Sequence, residues 1–581
     1  MAAAKNVGNA LGHNVHYEDN GNGWTDPAND ITEAGHLVRD VLYGSNLVAS
    51  HIVHFYQLAA LDFLDTHNLQ LPSPPFPPAT PYNLNKPPLC PRHGPPVGDP
   101  LYPYYFRIPP ILTTYLVAQY VIALQMRRMC NQIGAIWSGR APFVQGLTPG
   151  GVATSVSNAS IEKTRELLYK GSAGTGTPTN PAPGTILKFI GNVTDLPNWV
   201  ASEGGNLGKL PIIGDGSSAY AGTMMFDVFA AALFYPEYFW FGNAYQRFLA
   251  YGVLERGDET NVDKRLLRRG RTRSAQQGAT VLDARQEDVF ENIQSSYYTY
   301  TGTGSAKWRH PHKGQTNPKP GRAGAYSWIK SPRYRDTLDP SYAPAVPYEV
   351  GPLARMVVNG DYYAGILSDV YNSIVGNRNI PVGPFAGAQI PQWNAAGPDL
   401  STVFGAGYPD LGPLGFDLKY VGDSALDRYA ARQYEAEKIA KAMVGWLDRL
   451  QAMVGDPVAS ITSHTKPVPT GKTTLGYGWT EAPRGALGHW IVINAAGKID
   501  KYQCVVPSTW NASPTDSNGL HGPAEKAMVN VFVKDMNHPL EIMRVSHSWD
   551  FCTACAVHLV KRNDKGEVEE DSSVTINPTH P

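Results

Sequence analysis

The residues best equipped for chemistry lie close to the end of the chain, in His547-Ser-Trp-Asp-Phe-Cys-Thr-Ala-Cys-Ala-Val-His558. Cys552 and Cys555 stand three apart, so a short loop or helix start between them lets both sulfurs face one ion. Soft thiolates select nickel, zinc or iron over calcium or magnesium. Zinc is the plain alternative, but zinc sites commonly draw four ligands from two such pairs, and only one pair exists here. A redox pair or a structural pair stays open as well. A second stretch, Glu481-Ala-Pro-Arg-Gly-Ala-Leu-Gly-His-Trp490, sets Arg484 between proline and glycine. A backbone fixed in that way can aim a guanidinium at an anionic or cyanide-like acceptor, although a lone loop arginine is ordinarily a surface ion pair. A third, Tyr502-Gln-Cys-Val-Val-Pro-Ser-Thr-Trp-Asn-Ala-Ser513, puts further polar groups on a strand-to-turn element.

The elements that must carry these residues are legible from hydrophobic spacing. Leu37, Val41, Leu42, Val48, Ile52, Phe55, Leu58 and Leu61 recur near the helical period and predict a helix over 33–67. A second helix is expected from Pro110 to Trp137, and a third, alternating charged with apolar positions, from Asp423 to Val454. The window Pro109 to Met126 contains Thr113, Thr114, Gln119 and Gln125, is short for a bilayer, and reads as a buried helix. Prolines 72, 74, 75, 77 and 78 open a run from Leu71 to Tyr105 that should be an extended loop, since proline fixes φ and donates no hydrogen bond. Gly171 to Gly184 reads as an exposed insertion. Past the third helix, His489 to Asn494 and Ile499 to Val506 flank a turn at Asn494 to Lys498 and predict a β-hairpin. The expected fold is therefore mainly α with a smaller β portion (α+β), the strands lying near the C-terminal third.

Composition narrows the classes. In 581 residues, 42% hydrophobic, 17% charged and 10% aromatic, the chain has the make-up of an ordered globular protein with room for a large core. A length prior suggests two to four domains, although large single-domain enzymes of this size exist. With 49 basic and 50 acidic residues it has no positive excess with which to neutralise phosphates, so nucleic acid is not an expected partner. Five cysteines are too few for a disulfide scaffold, and Cys90, Cys130 and Cys504 are isolated. Met1 to Thr25 has neither an apolar stretch nor a small-residue cleavage site, so no secretory signal is expected.

Taken in order, Glu481 to Trp490, Val505 to Ser513, Gly522-Pro-Ala-Glu525 and Asp550 to His558 resemble the large subunits of nickel–iron hydrogenases. Earlier segments are similar to the same family: His51-Ile-Val-His-Phe-Tyr56, Val144 to Val152, Trp328 to Tyr334 and Gly351-Pro-Leu-Ala-Arg355. The resemblance implies a nickel–iron centre with CO and two cyanides on iron, and heterolytic cleavage of dihydrogen. It implies that Cys552 is a terminal nickel thiolate and that Cys555 bridges nickel and iron. Arg484 is then the arginine held over the metals, with Asp550 orienting it. Ser508 and the backbone near Pro483 and Val506 are expected as hydrogen-bond donors to cyanide. His558 and the carbonyl of Cys504, read in an apolar setting, are expected to hold magnesium. The resemblance also implies a small subunit with iron–sulfur clusters, because this chain has no cysteines for clusters of its own. Through that subunit the complex is expected to be periplasmic or membrane-associated, with a cytoplasmic location open. Residues 1–558 would form the hydrogenase domain, and 559–581, polar around Lys561 and Glu567 to Asp571, an extension removed by a maturation endopeptidase.

The sequence departs from this family in one large respect. The family's other two nickel thiolates come from an Arg-x-Cys-Gly-x-Cys motif, and no such motif occurs here. Met1 to Leu11 resembles the helix that comes just after it. The readings are a fragment or misassigned start, a split subunit whose companion polypeptide carries the motif, or a scaffold of a redox complex that has given up catalysis. Smaller departures are Ser50 in place of an aspartate before His51, which should weaken the positioning of Arg484, Phe143 in place of histidine, and Phe551 in place of proline.

Overall fold

The computed structural model describes residues 2–11, 31–65, 105–192, 223–361 and 422–552, apart from short breaks inside these ranges, and a few brief segments elsewhere. Helix α1 spans Ala2–Ala10. Helix α2, Glu33–Val53, opens on Thr32, whose side chain accepts from the amide of Gly35 at 3.1 Å and so satisfies one of the free donors of the first turn. The periodicity expected over 33–67 runs on past α2, but as a π-turn over His54–Ala59 and a 3-10 turn over Ala60–Asp62. A π-turn inserts an extra residue and re-phases the side chains, a device common at functional sites. Helix α3 covers Pro110–Ser138, close to its expected bounds. It is buried along one face only: Val121, Ile122 and Leu124 are exposed. Among the described residues no helix is long and apolar enough to cross a membrane.

Helix α4, Met224–Phe234, is apolar all round except for Asp227 and lies wholly in the core. Strands occupy the middle of the chain, where hydrophobic spacing predicts none. β1 (Phe248–Val253) pairs with β2 (Leu267–Thr272), and β3 (Val289–Asn292) lies between β4 (Trp308–Arg309) and β5 (Ser331–Tyr334). These strands are two to six residues long, too short to show a clear alternation. Helix α5, Pro352–Asn359, starts with proline in its first turn, where the missing N–H costs nothing. Helix α6, Ala425–Met453, starts with a capping box between Ser424 and Asp427.

The expected hairpin is present and gains a third strand. β6 (Thr474–Ala482), β7 (Gly485–Ile493) and β8 (Ile499–Val505) form an antiparallel meander. The glycines of β6 explain why it escaped a search for β-branched alternation. A Cβ on Gly478 would lie 2.2 Å from the carbonyl oxygen of Ala2, and one on Gly476 would lie 2.5 Å from that of Asn6, so α1 lies directly on this strand. On the other side Trp479 stacks on Tyr251 of β1 with ring centroids 3.8 Å apart. Two short helices complete the frame, α7 (Pro507–Asn511) and α8 (Leu540–Ser548).

The main core packs α2 against α3 and α6. Gly44 lets α2 and α6 approach, for a Cβ there would come within about 3.1 Å of Ile439 and Trp446. The segment Gly171 to Gly184 is a loop and largely exposed, as expected. The proline-rich run lies outside the described residues except at its end.

Candidate active site

Three segments far apart in sequence converge around Asp550, and one buried face of α6 stands behind them. Arg428, Arg432 and Glu435 recur at i, i+4 and i+7, so they share that face, and all three are buried. Arg428 makes a two-bond pair with Glu349 at 2.8 and 3.0 Å, and its guanidinium lies 3.7 Å over the ring of Trp549. Arg432 donates to the carbonyl of Ser548 at 2.6 Å. The ring nitrogen Nε2 of His54 donates to the neighbouring carbonyl of His547 at 2.7 Å. Arg432 thus caps the Ser548 carbonyl just inside the end of α8, and His54 adds a second donor to the His547 carbonyl, which also accepts the amide of Asp550 at 3.1 Å. His547 itself pairs through Nδ1 with the buried carboxylate of Asp62.

Beyond α8 the chain turns at Asp550, whose φ of +54° is a left-handed conformation that aspartate tolerates better than most residues. Its carboxylate meets Arg484, with Nη2 3.1 Å from Oδ1, and the Nε of Arg484 also donates to the Asp550 carbonyl at 2.6 Å. Burial pushes the Asp550 carboxyl above its usual range, and the positive charges of Arg484 and Arg432 only partly offset this. Two residues on, the amide of Cys552 donates to the Ser508 hydroxyl at 3.1 Å. Ser508 is buried at the start of α7, and a hydroxyl that accepts there still has its own hydrogen to donate.

Arg484 sits on the β6–β7 turn, and that turn rests on Arg355. The Arg355 guanidinium is fully buried and uses all five of its N–H groups. Nε and one Nη2 hydrogen go to Glu435 at 2.9 and 2.7 Å. One Nη1 hydrogen goes to Glu481 at 2.8 Å, and the remaining two go to the carbonyls of Ala482 and Pro483, each at 3.0 Å. His51 completes the cluster 3.2 Å from Glu435. One arginine cannot neutralise two carboxylates equally. Glu435, with two bonds to Arg355 and one to His51, is held down at about 2, whereas burial lifts Glu481 to about 7.

The structure thus brings together Arg484, Asp550, Ser508 and Cys552, with Pro483 in the same turn. Cys555 and His558 lie outside the described residues. The carbonyl of Pro483 accepts from Arg355, and proline has no N–H, so any amide donation at this turn falls to a neighbour. The amide of Val506 is likewise engaged, donating to Thr509 Oγ1 at 3.0 Å. These two backbone positions have less to offer a cyanide than the resemblance implies. Cys504 also differs: it is exposed on the edge strand β8, opposite His489, rather than in an apolar setting. Arg355, Arg432, Glu435 and His54 were not foreseen as site residues. The signal was there for α6, because charges at i, i+4 and i+7 on an otherwise apolar helix face have to be paired.

Among the described residues no group of three or more His, Cys, Asp or Glu side chains is placed to hold a metal ion. The residues present fit a thiolate-bound metal at one edge: Cys552 is half-buried, fixed by its own amide, and adjacent to the Arg484–Asp550 pair. Cys130 does not belong to it. That thiol is buried in α3, and burial pushes it up to about 12, well away from the thiolate a metal requires.

The family model of the nickel-dependent hydrogenases matches residues 26–74 and 212–558. The large subunit of the periplasmic [NiFeSe] hydrogenase of Desulfomicrobium baculatum is 27% identical over 535 residues, covering 91% of this chain and 79% of that one. The hydrogenase-2 large chain of Escherichia coli K12 is 27% identical over 557 residues, covering 91% and 83%. Among solved structures, the Ni-Fe-Se hydrogenase of D. vulgaris Hildenborough superposes with a TM-score of 0.63 at 23% identity, over 96% of this chain and 85% of that one. The [NiFeSe]-hydrogenase of Dm. baculatum gives a TM-score of 0.62 at 25% identity, over 96% and 86%.

Proposed function

This chain belongs to the nickel-dependent hydrogenase family, and from that premise we propose that the ground between Arg484, Asp550, Ser508 and Cys552 is one wall of its nickel–iron centre. The observation that carries this reading is the convergence itself. The β6–β7 turn, the start of α7 and the segment after α8 meet through the Arg484–Asp550 pair and the Cys552–Ser508 bond. Cys552 would be the thiolate of this wall, Cys555 the second thiolate that the family resemblance assigns, and Ser508 would donate its hydroxyl hydrogen to a cyanide on iron. His558 and the Cys504 carbonyl remain the candidates for magnesium. When bound, the centre supplies the redox chemistry that turns dihydrogen into two protons and two electrons.

The chain's own residues orient and handle the proton. The planar guanidinium of Arg484 serves to hold negative charge in place. Asp550 is the better proton carrier of the two, because it is a carboxyl that burial pushes above its usual range, beside the guanidinium it pairs with. The electrons pass to an iron–sulfur small subunit. Two further thiolates come from residues outside these 581, on the same polypeptide or on a companion that carries the missing motif.

The test is nickel per chain, with hydrogen uptake, in the complex isolated natively with all its partners. About one nickel and uptake activity are expected. A complex that carries no nickel, although its chain ends at His558, would mean a scaffold without catalysis.

A further inference from the structure

We propose that Arg355 is the positioning residue for Arg484, holding the turn that carries it by its main-chain carbonyls. The register Ala482↔Gly485 leaves a loop of two residues, Pro483 and Arg484, between β6 and β7. Two-residue hairpin loops favour the I′ and II′ turns, whose twist matches that of the strands and whose first central residue has positive φ. Proline is locked near −65° and cannot adopt that conformation. Arg484 is also absent from the left-handed residues, which are Gln246, Leu254 and Asp550 among the non-glycines described. The loop is therefore an unprimed turn, which Pro483 favours but whose twist does not match that of the flanking strands, so a support outside the loop is needed to hold it against them.

Arg355 meets that need. Its Nη1 and Nη2 reach the carbonyls of Ala482 and Pro483, at the two residues that precede Arg484. Glu435 and Glu481 fix the same guanidinium from behind, so it has no freedom to follow a drifting turn. The backbones also touch. A Cβ on Gly485 would lie 2.6 Å from the amide nitrogen of Gly351, and one on Gly351 would lie 3.0 Å from the carbonyl oxygen of Arg484. Gly351 directly precedes α5, the helix that carries Arg355. Lysine cannot replace this arrangement, since its three donors diverge from a single atom and the guanidinium offers five in a plane. The arrangement also bears on Ser50: the aim of Arg484 comes from the clamp under its backbone and from Asp550 beyond it.

The role of Arg484 in this proposal rests on the hydrogenase reading, so the test has one arm independent of activity. Two variants of the natively assembled complex are compared with the wild type: R355K, and R355Q/E435Q, which removes the clamp together with the carboxylate it holds ionised. In the first arm, amide deuterium uptake at Arg484 and Gly485 should rise roughly tenfold or more in both variants, with α5 and α6 unchanged. In the second arm, exchange of deuterium gas with protons should fall by roughly tenfold or more at unchanged nickel content and unchanged KM for dihydrogen. If R355K does not accumulate, the double variant carries both arms. A turn that stays protected in the variants overturns the clamp, even if the enzyme proves inactive. So does an exchange loss that only parallels loss of nickel. A wild-type complex without exchange would defeat the hydrogenase reading instead, and the first arm would still decide the clamp.

Discussion

Asp550 is asked to do two things that conflict. It must be ionised to hold Arg484, yet it is buried enough that its carboxyl is pushed above the ordinary range. The conflict fixes the sign of two pH effects. Between the ordinary aspartate value of about 3.9 and its own higher value, the folded protein binds more protons at this site than the unfolded chain, so this group's contribution to stability falls as pH rises. Activity moves the other way, because the pair with Arg484 forms only as Asp550 loses its proton. The acid limb of the hydrogen-oxidation profile should accordingly have its midpoint above the usual carboxylate range. Asn fits the left-handed backbone at this position, so Asp550→Asn should fold well. We expect it to lose that acid limb, to run at least roughly tenfold slower at neutral pH, and to melt no lower than the wild type there. A variant that is slower only because it melts earlier would show that Asp550 is a structural residue.

At the scale of elements, the sequence was most legible where periodicity is long. The helices over 110–137 and 423–454 match within a few residues and that over 33–67 as α2 with its π and 3-10 continuation to Asp62, because three or more turns of apolar spacing leave little ambiguity. The β7–β8 hairpin was found from its flanking apolar runs and its Asn494 turn. The strands of 248–334 were not, being short and paired with partners distant in sequence. The site divides in the same way. Arg484 and Cys552 stand out by residue type and spacing, whereas Asp550 and Ser508 stand out only through the family resemblance. The buried arginines and carboxylates behind them depend on which helix faces meet, and spacing within one element cannot reveal that. β6 escaped for a reason that predicts its own test. Its glycines exist to admit α1, and a Cβ on Gly478 would stand 2.3 Å from the amide nitrogen of Asn6 as well as against Ala2. Both neighbours are backbone, so they cannot rotate away. Gly478→Ala should therefore lift α1 off the sheet and cost about 1–3 kcal/mol, read as a lower melting temperature with faster amide exchange in α1. Unchanged exchange in α1 would mean that the helix does not depend on this contact.

At the scale of the whole molecule, the segment that delivers Cys552 is fastened to three distant parts of the chain. The wall around Cys552 is fastened at closely spaced main-chain groups: the carbonyls of His547 and Ser548 by His54 and Arg432, the carbonyl of Asp550 by Arg484, and the amide of Cys552 by Ser508. None of these bonds has a metal as partner, so the wall is expected to form before any metal arrives. The sequence beyond Cys552 holds Cys555, His558 and the polar residues from Lys561 to Asp571, whose charges suit an accessible segment better than a core. If residues 559–581 are an extension removed on maturation, the cut is expected to wait until Cys552 and Cys555 are engaged by metal. In the native complex the chain should therefore end at His558 wherever it carries nickel, and should retain Pro581 wherever it does not. Intact-mass measurement of the nickel-loaded and nickel-free fractions reads this directly. Nickel-loaded chains that still end at Pro581 would show that the segment is a lasting part of the enzyme, and that closure of the site does not depend on its removal.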